Sequence, residues 1–200
     1  MVMSASKAEI IQTLRGRANL GDGEAAWILG DAYVYGHVGA KVRIRKNRSR
    51  ALAWLSRAVA LGQDGAAPEL AGLLLESTDE KDVCLGLNIL RNSAKSGNVI
   101  ATQNLAMYYS DKGNPRRCFF WLLKTTLLGS PDWYHLAICR AAGYGCRRDV
   151  TMAKRFFRKT QKSSKSFPID RERAKGFLRM IKRNEKITVI KSLGSTVPTN

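Results

Sequence analysis

The stretch "RALAWLSRAVALG", Arg50 to Gly62, reads as an amphipathic helix with a glycine stop, and whether it recurs decides the fold. It does recur. Aligning on a leucine followed by a small residue places "ELAGLLLES", "NLAMYYSDK" and "HLAICRAAG" beneath "ILGDAYVYG". The shared positions are Leu29, Leu70, Leu105 and Leu136, followed by Gly30, Ala71, Ala106 and Ala137. A small residue beside a large one admits a neighbouring helix, so the pattern is a packing rule. Ala25, Ala66 and Ala101 lie one turn earlier on the same face, and the last unit has Asp132 there instead.

A second helix recurs in step. Trp54–Leu55 is matched by Ile89–Leu90, Trp121–Leu122 and Phe156–Phe157. Asn47, Asp82, Asn114 and Asp149 coincide in register ahead of these pairs, and each is a side chain that accepts from the free amides of a helix start. Pro115 suits the first helical position after Asn114. Gly62, Gly97 and Gly129 end three of the second helices, with Ser164 in that place in the fourth. The predicted organisation is an all-α, right-handed α-solenoid. An N-terminal capping helix lies within residues 1–22, about four helix-turn-helix repeats span 23–164, a basic capping helix lies within 165–190, and a disordered tail covers 191–200.

The units "AAWILGDAYVYGHVGA...RALAWLSRAVALG" and "LAICRAAGYGCRRDVTMAKRFF" resemble the Sel1-like repeat family, a subclass of tetratricopeptide-like helix pairs. The resemblance covers roughly residues 23 to 164. In the middle units Ser77 and Lys112 replace the glycine seen at Gly36 and Gly143, and Leu74 and Arg140 stand where the first unit has Tyr33. The resemblance implies protein recognition on a curved surface by an adaptor, regulator or partner-capturing module, without catalytic chemistry.

Charge is distributed unevenly. The chain of 200 residues carries 34 Lys+Arg against 16 Asp+Glu, a net of +18. Residues 1–100 hold 13 basic and 10 acidic side chains, whereas residues 101–200 hold 21 and 6. The C-terminal half therefore carries a field that attracts anionic partners, whatever their class. No apolar run is long enough to span a bilayer, and the first residues lack the apolar core of a secretory signal, which predicts a cytoplasmic protein. Cys84, Cys118, Cys139 and Cys146 show no metal spacing and are expected to be buried apolar residues.

Signals of an enzyme are thin. There are two histidines, His37 and His135, with no zinc-protease, P-loop or nucleophile-elbow motif, and "GYG" at Gly143 reads as an inter-helix turn. No catalytic residue, metal ligand or cofactor is predicted. The partner-binding candidates lie between the repeat-defining positions of the first helices, where an inner surface would form: Trp27, Asp31, Tyr35, Met107 and Trp133. The competing reading of the tryptophans is core packing.

Two basic regions stand out. The first unit has an insertion, with ten residues between Gly36 and Asn47 against five between Gly143 and Asp149. Its Lys41, Arg43, Arg45 and Lys46 form either a solvated loop or a basic finger, in which alternate side chains point one way if the backbone is extended. The second region runs from Arg140 to Lys191 with 17 basic and 4 acidic residues, and Arg155, Lys159 and Lys162 are its candidate contacts. Phe156, Phe157 and Phe177 interleave with these charges as stacking platforms would, but their helical spacing assigns them to the core.

These features predict a non-enzymatic protein-binding module, an adaptor or an immunity- or antitoxin-type inhibitor, that captures an acidic or mixed-charge partner. The alternative is a nucleic-acid or ribosome-associated factor using the basic C-terminal face.

Overall fold

The computed structural model describes residues 6–39, 42–164 and 166–183, together with the backbone of 187–188 and 197–198. The chain divides into two compact units, Met1–Asn98 and Val99–Asn200. The N-terminal unit contains α1 (Lys7–Asn19), α2 (Gly23–Tyr35), β1 (His37–Val38), β2 (Val42–Arg43), α3 (Arg48–Ala60), α4 (Ala66–Leu75) and α5 (Glu80–Lys95). The C-terminal unit contains α6 (Val99–Asp111), α7 (Pro115–Leu127), α8 (Trp133–Ala142), α9 (Val150–Lys162), α10 (Pro168–Lys182), β3 (Ile187–Thr188) and β4 (Val197–Pro198). The architecture is a helical solenoid in which, within each unit, successive helices pack on one another.

The packing rule read from the repeats holds in all four units. Leu29, Leu70, Leu105 and Leu136 are buried, as are the small residues that follow them. A Cβ on Gly30 would lie 2.6 Å from Leu55 Cγ, so only glycine lets α3 approach α2 this closely. Asp132 departs from the alanine register because it caps the shorter α8, accepting from the His135 amide at 3.1 Å.

Asn47, Asn114 and Asp149 cap α3, α7 and α9 as expected, each accepting from the backbone amide three residues on. Asp82 does not cap α5. Asp79, another residue suited to the role, accepts from the Lys81 amide at 2.9 Å and starts the helix earlier. Asp82 thereby enters the first turn, where the positive end of the helix dipole favours its charge. Gly62, Gly97 and Gly129 take left-handed conformations just past α3, α5 and α7. Ser164 has no equivalent role, because α9 ends at Ser163 in an extended conformation.

The end helices are tied down by different means. Arg57 donates from α3 to the carbonyls of Ala18 and Asn19, both at 3.1 Å, which satisfies the C-terminal end of α1. At the other end, Phe177 of α10 stacks on Phe157 of α9, with ring centroids 5.2 Å apart and planes 10° apart. Ala174, Phe177 and Met180 form the buried stripe of α10, while Leu178 and Ile181 beside them are half-buried. The tail at 191–200 lies outside the described residues except for Val197–Pro198, which pairs antiparallel with Ile187–Thr188.

The cysteines are free thiols that divide by position. Cys118 and Cys139 are buried and Cys146 is half-buried, but Cys84 is exposed on α5. The expectation that all four are buried fails at Cys84 because it falls off the stripe that buries Gly86 and Leu90.

Candidate functional site

On α2, Trp27, Asp31 and Tyr35 are spaced four residues apart and so follow one face of the helix. That face borders a pocket of about 320 Å³ lined by Trp27, Ile28, Asp31, His37, Val38 and Gly39. The hairpin of β1 and β2 supplies its far side through His37 and Val38, so the insertion in the first unit builds one wall. The Trp27 ring rests on Gly65, and its indole N–H donates to Glu69 of α4 at 2.9 Å. Trp27 is therefore half core residue and half pocket wall.

The pocket is acidic in a basic protein. Burial raises the pKa of Asp31, against the opposing charge of His37, and among the described residues no side chain hydrogen-bonds or ion-pairs with it. Burial also raises Glu69, opposed by the Trp27 hydrogen bond and reinforced by the charge of Asp31. Tyr35 is raised by burial and then by the carboxylates of Glu69, Asp31 and Glu76. Its ring remains 54% exposed, with the His37 ring centroid 6.3 Å away. An aromatic wall beside incompletely neutralised carboxylates suits a cationic side chain. A larger crevice of about 510 Å³ in the same unit is lined by apolar Val59, Ala67 and Ile89 together with polar groups such as Gln63, Asn92 and Ser93, and it has no aromatic ring in its wall.

The remaining two candidates belong to the C-terminal unit. Met107 on α6 is 66% exposed. Trp133 at the start of α8 is half-buried, with its ring 5.3 Å from that of Phe156 and the Lys159 ammonium 4.1 Å from its centroid. Phe156 is thus only partly core, whereas Phe157 and Phe177 are buried as expected.

The hairpin presents its charges by alternation. Arg43, Arg45 and Lys46 are exposed while Val42 and Ile44 are half-buried; Lys41 lies outside the described residues. On α9, Arg155, Lys159 and Lys162 are all exposed, but none of them lines the cleft that α9 forms with α10. The concave basic surface is on the adjoining face, where Lys154, Arg158 and Gln161 of α9 meet Leu178, Arg179 and Lys182 of α10 around a cleft of about 360 Å³. Helix periodicity predicted a basic α9 but could not show which face α10 would wall in.

Two further features escaped the sequence reading. Glu69 has no motif to mark it and acquires a role only when α4 packs beside α2. Phe120, Leu123 and Leu127 form an exposed apolar stripe on α7, behind the buried Cys118, Phe119 and Leu122. The signal available was a second apolar periodicity in "CFFWLLKTTL".

His135 and Asp132 form a half-buried ion pair in the C-terminal unit, Nδ1 to Oδ2 at 2.6 Å. Burial opposes the imidazolium, yet the Asp132 hydrogen bond and charge outweigh it and hold His135 above its ordinary value of 6.5. Burial likewise opposes the Asp132 carboxylate, and the bond to His135 outweighs it and lowers that pKa. The pair locks the first turn of α8. Among the described residues there is no grouping of three or more His, Cys, Asp or Glu that could hold a metal ion, and no helix is long and apolar enough to cross a membrane.

Comparison with known proteins fixes what these helix pairs are. The family model described as Sel1 repeat matches residues 23–63, 99–130 and 134–160. The chain belongs to the Sel1 repeat family. The model passes over the unit of α4 and α5, where the repeat motif is most degenerate. Among solved structures, c5321, a protective antigen of uropathogenic Escherichia coli with an SLR fold, is 18% identical with a TM-score of 0.61. The similarity covers 90% of this chain and 44% of that one. A Sel1 repeat protein from Oxalobacter formigenes is 22% identical with a TM-score of 0.62, over 77% of this chain and 62% of that one. This chain thus spans under two thirds of either protein's length, and the likeness is one of fold. No curated protein matches the sequence. Sel1 repeat proteins are generally protein-interaction modules.

Proposed function

We propose that this Sel1 repeat chain is a non-enzymatic, cytoplasmic protein-capture module, an adaptor or an immunity-type inhibitor, that holds an acidic or mixed-charge protein partner. The observation that carries the reading is the pocket on α2, where Trp27, Asp31 and Tyr35 stand on one helix face with Glu69 behind them. Exposed aromatic area beside a cavity is the composition of an interface anchor. The mixed-charge form of the partner fits best: a basic side chain enters the acidic pocket, while acidic groups elsewhere on the partner meet the net charge of +18 and raise the rate of encounter. Met107 contributes a flexible apolar contact, and Trp133 a weaker one because Phe156 and Lys159 already occupy part of its ring.

The test is affinity capture with the wild type and with a Trp27→Ala, Tyr35→Ala double variant, each at low and high salt and with nuclease added. A protein retained by the wild type after nuclease treatment and lost from the folded variant supports the reading. Identical retention by both removes the α2 surface from it.

A further inference from the structure

The cleft between α9 and α10 raises a question that protein capture at α2 does not answer. Lys154 and Arg158 line one wall, Arg179 and Lys182 the other, with Gln161 as a further donor and Leu178 as the apolar contribution. Among the described residues none of the four cations has a carboxylate within ion-pair distance. Four described acids of the same unit are engaged elsewhere. Asp132 is bound to His135, Asp149 caps α9, Glu172 pairs with Lys175, and Asp170 lies in the fields of His135 and Arg173.

Helix electrostatics explains only half of this arrangement. Arg179 and Lys182 lie in the last turn of α10, where the negative end of the dipole favours cations. Lys154 and Arg158 lie in the N-terminal and middle turns of α9, where no such benefit exists, and one turn apart they repel each other. Four cations gathered around one concavity, with no carboxylate partner among the described residues, are complementary to an external polyanion.

The chemistry of the walls selects among polyanions. An acidic protein surface held tightly needs desolvated aromatic or apolar anchors, and the cleft offers only half-buried Leu178. No aromatic ring lines the cleft, and of the rings on these two helices Phe157 and Phe177 are buried against each other while Phe156 packs on Trp133. What remains are guanidinium forks and ammonium groups, which suit phosphate oxygens and carry no means of reading sequence. We propose that the α9–α10 cleft binds the phosphodiester backbone of a nucleic-acid strand through Lys154, Arg158, Arg179 and Lys182, without base specificity.

The experiment is fluorescence anisotropy of the full chain with labelled oligouridylate and oligothymidylate strands of about 20 nucleotides, across a salt series. Wild-type protein binds both, with log K falling linearly in log salt. Arg158→Gln with Arg179→Gln removes two phosphate contacts. The salt slope should then drop by about 1.4, which corresponds to about 25-fold weaker binding at about 0.1 M salt. Arg43→Gln with Arg45→Gln removes the same charge from the hairpin and should leave most of the affinity. If the first pair fails to fold by circular dichroism, Lys154→Gln with Lys182→Gln carries the same comparison. Three results would overturn the proposal. One is an absence of binding by the wild type at about 0.05 M salt. Another is equal weakening by the hairpin and cleft variants, which would assign binding to net charge alone. The third is displacement of the strand by polyglutamate of equal charge at equal concentration, which would assign the cleft to acidic proteins.

Discussion

The pocket on α2 and the cleft between α9 and α10 are carried by helices of one solenoid, yet their surfaces have opposite character. The first is aromatic and locally acidic, with Asp31 and Glu69 desolvated beside Trp27. The second is basic and almost without apolar anchors. The difference teaches that a repeat motif constrains only the faces that meet other helices. Positions between the motif residues are free to carry any chemistry, which is how one solenoid presents two unrelated binding surfaces.

The largest expected effect tests the shared packing beneath the two surfaces. Gly145 has a positive φ of 72°, and a Cβ there would overlap the Pro115 carbonyl at the start of α7. Backbone cannot yield as a side-chain tip can, so Gly145→Ala should lower stability by about 3 kcal/mol in urea unfolding. A loss below about 1 kcal/mol would show that the turn after α8 relaxes freely.

Gly30→Leu is the counterpart beneath the α2 pocket. Leu55 is fully buried and has no open space to move into, and overpacking should cost about 1–3 kcal/mol. Thermal melts of the two glycine variants side by side would rank the backbone clash above the side-chain clash. The reverse order would contradict that ranking.

The His135–Asp132 pair separates the units by pH. Because the folded pKa of His135 is raised, its contribution is fully present below 6.5 and fades as pH rises through the folded value. Because that of Asp132 is lowered, its contribution is present above 3.8 and fades as pH falls through the folded value. His135→Gln should therefore destabilise more at mildly acidic pH than at alkaline pH, by about 1 kcal/mol for a partly exposed pair. Asp170 also faces His135 and adds to the same trend. A pH-independent difference would mean that the imidazole acts by packing alone.

The smallest effect concerns Trp133. Lys159→Ala removes the ammonium over its ring and should change stability by about 0.5 kcal/mol. If the same change strengthens capture of a partner, Trp133 belongs to the binding surface after all; no change in capture assigns its ring to the α8–α9 packing.

Much of this was legible from the chain itself. The leucine register, the glycine stops and three of the four N-caps could be read directly, because capping and helix–helix packing depend on residue type at fixed spacing. Asp82 misled for the same reason: Asp79 satisfies an identical local rule one turn earlier, and local rules cannot choose between two valid caps. Trp27, Asp31 and Tyr35 were placed on one face of α2 by periodicity alone. Neither Glu69 behind Trp27 nor the choice between the Arg155–Lys159–Lys162 face and the Lys154–Arg158 face could be read that way. Both depend on which neighbouring helix packs where, and the side chains that a neighbour brings across a gap leave no periodic trace in the sequence of the helix they approach.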